Sequence, residues 1–294
     1  MKQAKEPPKA PADEMRGRVC LVTGGSSGVG FATARGLAAL GATVLLVSRD
    51  PQRGERAAEA IRRRTGNPEV RFLACDLSLQ REVRRLAGEV AERHPVLHVL
   101  ANCAGRLALR RELTQEGIER TLAVDYLSHF LLTGQLLEPL CAGAPSRVIT
   151  VAGSPGTLRL LRLRADFLEA GGRLSGVGSA LQAALARVLF SFELARRLRG
   201  SGVAANAFHP GLVRTRLDRN LPWPLRLPVR LASPLLRADC PTAVQLASAR
   251  ALEGASGLFF AHGRPVDLHP HDEDLDAARR LWESSERLTG ARSL

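Results

Sequence analysis

Lysine is almost missing from this 294-residue chain. Lys2, Lys5 and Lys9 are the only three, and every other basic residue is arginine. Tyrosine occurs once, as Tyr126, and aromatics make up only 4% of the residues. The net charge of +13 is scattered and never interleaved with aromatics, so nucleic-acid binding is not expected. No apolar run reaches the ~18 residues of a membrane span. The start, Met1 to Pro11, has no apolar core and does not read as a secretory signal. Residues 1–15 are expected to be a disordered, basic, Pro-rich tail. The five cysteines (Cys20, Cys75, Cys103, Cys141 and Cys240) are odd in number, widely spaced and form no CxxC. That spacing points to reduced thiols and a cytoplasmic protein, not to a disulfide framework or a zinc site.

What the chain does have is a core and a rhythm. Apolar residues are 45% of the sequence, enough for a sizeable interior. Short apolar runs alternate with helical patterns. The strands expected are 19–22, 43–48, 70–75, 96–101, 146–152, 203–208 and 257–260. The helices expected are 31–40, 52–64, 80–93, 114–137, 178–199, 242–252 and 275–288. Repeated βα units imply a Rossmann-like, doubly wound parallel sheet with helices on both faces. Ligands in such sheets gather at the carboxyl ends of the strands.

At the first such end stands Thr23-Gly-Gly-Ser-Ser-Gly-Val-Gly30. A glycine-rich turn from strand to helix holds phosphate on backbone N–H groups and the positive end of the helix dipole. Here Gly24, Ser26, Ser27, Gly28, Val29 and Gly30 are the candidate cradle. Glycine spacing alone is also compatible with a plain strand–helix turn.

Together with Asn102-Cys-Ala-Gly105, Asp76-Leu77 and His209-Pro-Gly-Leu-Val-Arg-Thr215, this turn resembles the short-chain dehydrogenase/reductase family. The resemblance covers about residues 16–290. It is similar to the retinol-dehydrogenase-like branch at Ser48-Arg49-Asp50, Val124–Thr133, Phe190–Leu198 and Arg279–Leu288. It implies one NAD(P)-binding domain over 16–294, with a substrate lid over 212–240. It also implies cofactor contacts from Asp76, Leu77, Asn102, Gly105 and Thr215, and a homodimer of the family type. At the end of the second strand there is no carboxylate at 48, and Arg49 offers a planar fork to a 2′-phosphate, which favours NADP over NAD. Asp50 and Arg53 are placed to pair locally.

The family's chemistry uses a Tyr-x-x-x-Lys pair on one helix face, a serine after the fifth strand and an asparagine in the preceding helix. By flanking sequence these positions fall at Ala180, Ala184, Gly153 and Asp125. Composition reinforces the reading, because no Tyr-x-x-x-Lys exists anywhere in the chain. Arginine cannot stand in as a titrating group. Three residues stand where they could substitute: Ser154 beside the serine position, Tyr126 beside Asp125, and His129 four residues after Asp125. The bland alternatives are a loop serine, a packed tyrosine and a structural histidine.

On the substrate side, Leu221-Pro-Trp223-Pro and its arginine-rich continuation suit a lid over an apolar small molecule, with Trp223 and Ser154 as contacts. Its prolines break any long amphipathic helix, which weakens a membrane-surface role without removing it. His269-Pro-His271 reads as a solvated loop, with no metal expected. The leading reading is a relative that binds NADP(H) without ordinary catalysis, as a sensor, scaffold or partner subunit. The alternatives are an NADP-dependent oxidoreductase of retinoid, steroid or other apolar substrates with an unusual proton donor, and a basic nucleic-acid or membrane-surface binder.

Overall fold

Valine, leucine and isoleucine fill the strands almost without interruption, as burial on both faces requires. The computed structural model describes residues 14–108, 110–164, 167, 176–213, 237–268 and 272–291. The strands are β1 (Val19–Thr23), β2 (Thr43–Ser48), β3 (Val70–Ala74), β4 (Val99–Asn102), β5 (Ser146–Val151), β6 (Val203–His209), β7 (Phe259–Ala261) and β8 (Arg264–Pro265). They form one sheet in the order β3-β2-β1-β4-β5-β6-β7-β8. All neighbours are parallel except the short β7–β8 pair. The strand order reverses between β1 and β4, so a crevice opens there at the strands' carboxyl ends.

Two helical layers cover the sheet. On one face lie α1 (Gly28–Ala39), α2 (Pro51–Thr65) and α9 (Pro241–Ser248). The other face carries α3 (Gln80–Arg93), α5 (Ser128–Gln135), α6 (Leu137–Ala142), α8 (Gly176–Arg197) and α10 (Asp272–Thr289). The short helices α4 (Arg120–Leu122) and α7 (Pro155–Leu158) complete the set. Side chains alternate along β1: Cys20 and Val22 enter the α1 side, Leu21 the α8 side.

Local chemistry sets the boundaries. Asp50 caps α2 by accepting from the Arg53 N–H at 3.1 Å, Pro51 opens the helix, and Gly66 closes it at φ +70°. Arg62, Arg63 and Arg64 occupy its last turn, where the dipole favours cations. The single helix expected over 114–137 is instead broken. It begins at Arg120, because the buried Glu119 carboxylate caps the Thr121 and Leu122 N–H groups at 3.0 and 2.8 Å. A π-helical turn over Ala123–Leu127 then joins α4 to α5.

Helix α8 is long and apolar enough to cross a membrane, but 72% of the qualifying window is buried inside the domain. It packs on α10, where Trp282 stacks on Phe190 with ring centroids 5.9 Å apart, and the Arg197 guanidinium lies 4.4 Å over the Trp282 ring. At the other end of the chain, the Met15 side chain is buried and its N–H donates to the Leu40 carbonyl at 2.9 Å. The five cysteines are free, with Cys141 exposed and the others buried.

Candidate functional site

The glycine turn is built as a cradle that no larger residue could form. Gly24 has φ +66°, and a Cβ there would lie 2.8 Å from Ala104 Cα. A Cβ on Gly30 would lie 2.6 Å from the Gly24 carbonyl oxygen. Gly28 opens α1 at φ +59°. Ser27 at the N-cap makes no side-chain cap bond, and the first turn holds no acidic residue. The N–H groups that a helix start leaves unsatisfied are therefore available to an anion. Ser26 and Ser27 are half-buried beside them, and Val29 anchors the helix in the core.

Thr23 latches this turn to its neighbour across the crevice. Its hydroxyl donates to the Ala101 carbonyl at 3.3 Å and accepts from the Cys103 and Ala104 N–H groups at 3.0 and 3.1 Å. The ends of β1 and β4 are thus fixed relative to each other. Asn102, expected at the cofactor, is fully buried, and its Nδ2 donates to Thr133 Oγ1 at 3.2 Å. That bond ties the end of β4 to α5. Gly105 is exposed at the corner above it.

At the end of β2, Arg49 is exposed and has no hydrogen bond or ion pair among the described residues. Asp50 is committed instead to the α2 cap and to Arg53, at 3.1 Å from its Nε. Asp76 closes its own turn, with Oδ1 accepting from the Ser78 N–H at 3.0 Å, and Leu77 is buried behind it. Ser48 ends β2, Arg49 follows it, and Asp76 follows the neighbouring strand β3, so they border one end of the crevice.

The other end of the crevice holds the positions expected to be catalytic. Ala180 is half-buried and Ala184 buried on α8. A Cβ on Gly153 would sit 3.4 Å from the Ala184 Cβ, so the end of β5 and this helix face meet directly. Ser154 is half-buried, but its hydroxyl caps α7: it accepts from the Thr157 N–H at 3.3 Å and lies 2.8 Å from Thr157 Oγ1. Any substrate contact by Ser154 competes with that cap.

Asp125 sits in the π-turn, 2% exposed, and its Oδ1 accepts from the Arg106 N–H at 2.9 Å. Burial pushes its carboxyl up to about 7, outweighing the opposing pull of Arg187 and Arg106. His129 is fully buried, with its ring against the Ala104 backbone. Burial and the Arg187 charge lower it to about 3, so it stays neutral and does not titrate near neutrality. Tyr126 points away from the crevice. It is fully buried, with its hydroxyl 2.8 Å from Ser285 Oγ on α10.

Three features were missed by sequence reasoning. The Thr23 latch and the π-turn leave no compositional mark. Arg187 does leave one: it is a charge on the inner, apolar face of α8, within Leu185-Ala-Arg-Val-Leu-Phe190. Thr215, Trp223, most of the 212–240 lid, His269, His271 and residues 1–13 lie outside the described residues. Among the described residues no group of three metal-ligating side chains occurs.

Comparison with known proteins agrees with this geometry. The family model described as short chain dehydrogenase matches residues 18–163. Retinol dehydrogenase 12 of Bos taurus is 37% identical over 286 residues, covering 95% of this chain and 88% of that one. Dehydrogenase/reductase SDR family member 13 of Homo sapiens is 39% identical over 295 residues, covering 97% and 77%. The solved RhlG/NADP active-site complex of Pseudomonas aeruginosa superposes with a TM-score of 0.66 at 26% identity, over 86% of this chain and 98% of that one. The cradle, the crevice and these relatives agree: the chain belongs to the short-chain dehydrogenase/reductase family, with retinol dehydrogenases among its relatives.

Proposed function

We propose that this chain binds NADP(H) at the β1–β4 crevice and does not carry out the family's ordinary tyrosine-dependent reaction. One observation carries the reading. The only tyrosine in the chain is sealed in the core against Ser285, while α8 presents Ala180 and Ala184 to the crevice. A proton donor of the ordinary kind, and a lysine to lower its pKa, are then both missing. Loss of a general acid or base alone costs about 10²–10⁴-fold in rate.

The residues present fit the cofactor. The Gly24–Gly30 cradle suits the pyrophosphate, because a Cβ on either glycine would fill it. Arg49, exposed and without a partner among the described residues, suits a 2′-phosphate, and Asp76 with Leu77 suits the adenine. Gly105 borders the nicotinamide side, with Thr215 as a further contact. When bound, the nicotinamide supplies a hydride donor or acceptor. In this reading the domain spans 16–294, and 212–240 with Trp223 and Ser154 covers an apolar small molecule, in keeping with relatives named retinol dehydrogenases. The protein then acts as a sensor, scaffold or partner subunit, within a homodimer of the family type.

A second reading rests on Asp125. Its raised carboxyl holds a proton near neutrality at the crevice, so it is a candidate donor for slow reduction of a retinoid or steroid carbonyl. Titration with NADPH and NADH, on the wild type and on Arg49→Ala, tests the cofactor assignment. Tighter binding of NADPH, lost in the variant, supports it. Equal affinity for both cofactors overturns the NADP preference. Retinal reduction above background by the unmutated chain favours the second reading.

A further inference from the structure

Arg187 follows Ala184 by three residues and Ala180 by seven, so all three share one face of α8. Its Nε donates to the Ala183 carbonyl at 3.3 Å. That bond folds the side chain back along the helix and sets the guanidinium over the turn of Ala183 and Ala184. From there Arg187 Nη1 reaches to 3.5 Å from the point a Cβ on Gly105 would take. Asp125 Oδ2 lies 3.7 Å from the same point. The guanidinium therefore faces the exposed Gly105 corner at the end of β4, on the nicotinamide side of the crevice.

The residue is strongly buried there, at 8% exposure, but neither Nη is among the buried polar atoms left without a partner. A guanidinium brings five N–H donors. Among the described residues only the Nε bond to Ala183 is made, and no Asp125 oxygen comes within the 4.0 Å of an ion pair. Its Nη donors therefore still meet solvent at the crevice, where acceptors of a bound ligand would replace that water.

We propose that Arg187 binds the nicotinamide ribose of NADP(H), supplying from position 187 the cation and hydrogen-bond donors that position 184 lacks. The inference rests on the cofactor reading above and adds to it a residue from outside the family motif. It gives the crevice a fixed positive charge at each end, Arg49 toward the 2′-phosphate and Arg187 toward the ribose.

Calorimetric titration of wild type, Arg187→Met and Arg187→Lys with two ligands tests it. NADPH spans the whole crevice, whereas adenosine 2′,5′-bisphosphate reaches only the Arg49 end. The expected result is a loss of about tenfold or more in NADPH affinity for Arg187→Met, partial recovery in Arg187→Lys, and unchanged bisphosphate affinity throughout. Retained bisphosphate binding also certifies that the variants fold. Unchanged NADPH affinity in Arg187→Met overturns the inference. Equal loss of both ligands overturns it too, since the effect is then structural. If the wild type binds the bisphosphate but not NADPH, the inference fails while the adenine-end site stands. If it binds neither, the cofactor reading itself fails.

Discussion

The Tyr126 hydroxyl lies 2.8 Å from Ser285 Oγ, joining the π-turn before α5 to the C-terminal helix α10. Ser285 Oγ donates its own proton to the Leu281 carbonyl at 2.6 Å, so the tyrosine is the donor of the pair. Its ring also meets Phe190 edge-on, with centroids 6.3 Å apart. Burial raises its pKa well above the ordinary range, which suits a structural hydroxyl and not an acid–base group. Tyr126→Phe is expected to cost about 1 kcal/mol of stability and to leave NADPH affinity unchanged. Urea denaturation and a cofactor titration check this together. A large fall in cofactor affinity would return Tyr126 to the site.

Gly30→Ala tests the cradle. The added methyl meets the Gly24 and Thr23 carbonyl oxygens at 2.6 and 2.8 Å, and backbone cannot step aside as a flexible side chain would. A destabilisation of about 1–3 kcal/mol is expected, with loss of NADPH binding in the protein that remains folded. The midpoint of urea unfolding and the saturation of NADPH fluorescence give the two numbers separately.

Rebuilding the family pair should fail if Arg187 is left in place. Ala184→Lys brings an ammonium to the turn that the Arg187 guanidinium covers, and like charges in a buried setting repel strongly. Ala180→Tyr/Ala184→Lys alone is therefore expected to stay near background in retinal reduction. Adding Arg187→Ala to that pair is expected to raise turnover by about 10²-fold or more if the proton donor is what the chain lacks. Equal activity of the double and triple variants would contradict the placement of Arg187.

Asp125 and His129 predict opposing responses to pH. The Asp125 carboxyl, raised from 3.8 to about 7, binds its proton more tightly folded than unfolded, so its contribution to stability falls as pH rises through that interval. His129, lowered from 6.5 to about 3, binds its proton more tightly unfolded, so its contribution rises with pH across the same range. Arg187, Arg106 and Glu119 are the other charges acting on the aspartate. Wild-type stability is expected to be nearly flat between about pH 4 and 6.5 from this pair. Asp125→Asn should leave a rising slope and His129→Gln a falling one, each up to about 1.4 kcal/mol per pH unit. Denaturant midpoints across that range check the signs, and parallel slopes in the two variants would refute the assignment.

Much of the architecture was readable because buried parallel strands announce themselves. Thr43–Ser48 is β2 to the residue, and helices lie on both faces of the sheet as expected. The expected helix at 114–137 failed for a local reason: Glu119 is an unusual cap, and it is recruited by burial and by the Ser179 hydroxyl 2.9 Å away. Similarly, α3 lacks a capping side chain at Leu79 and borrows the Glu116 carboxylate, which accepts from the Gln80 N–H at 2.8 Å. Such caps come from elsewhere in the chain and have no local signature. The π-turn also altered the site. It moves Asp125 and His129 off the regular helical spacing on which their shared face was argued. The glycine cradle was legible because only glycine fits it. The Asn102–Thr133 bond was not, since nothing in the local sequence marks a partner 31 residues away.

On the function proposed above, this chain holds the cofactor without using it. The most direct test is a record of NADPH fluorescence over time, with the wild-type protein in excess and all-trans-retinal present. The account predicts a saturable rise in fluorescence that then persists. No rise, or a rise followed by decay as NADPH is oxidised, would contradict it.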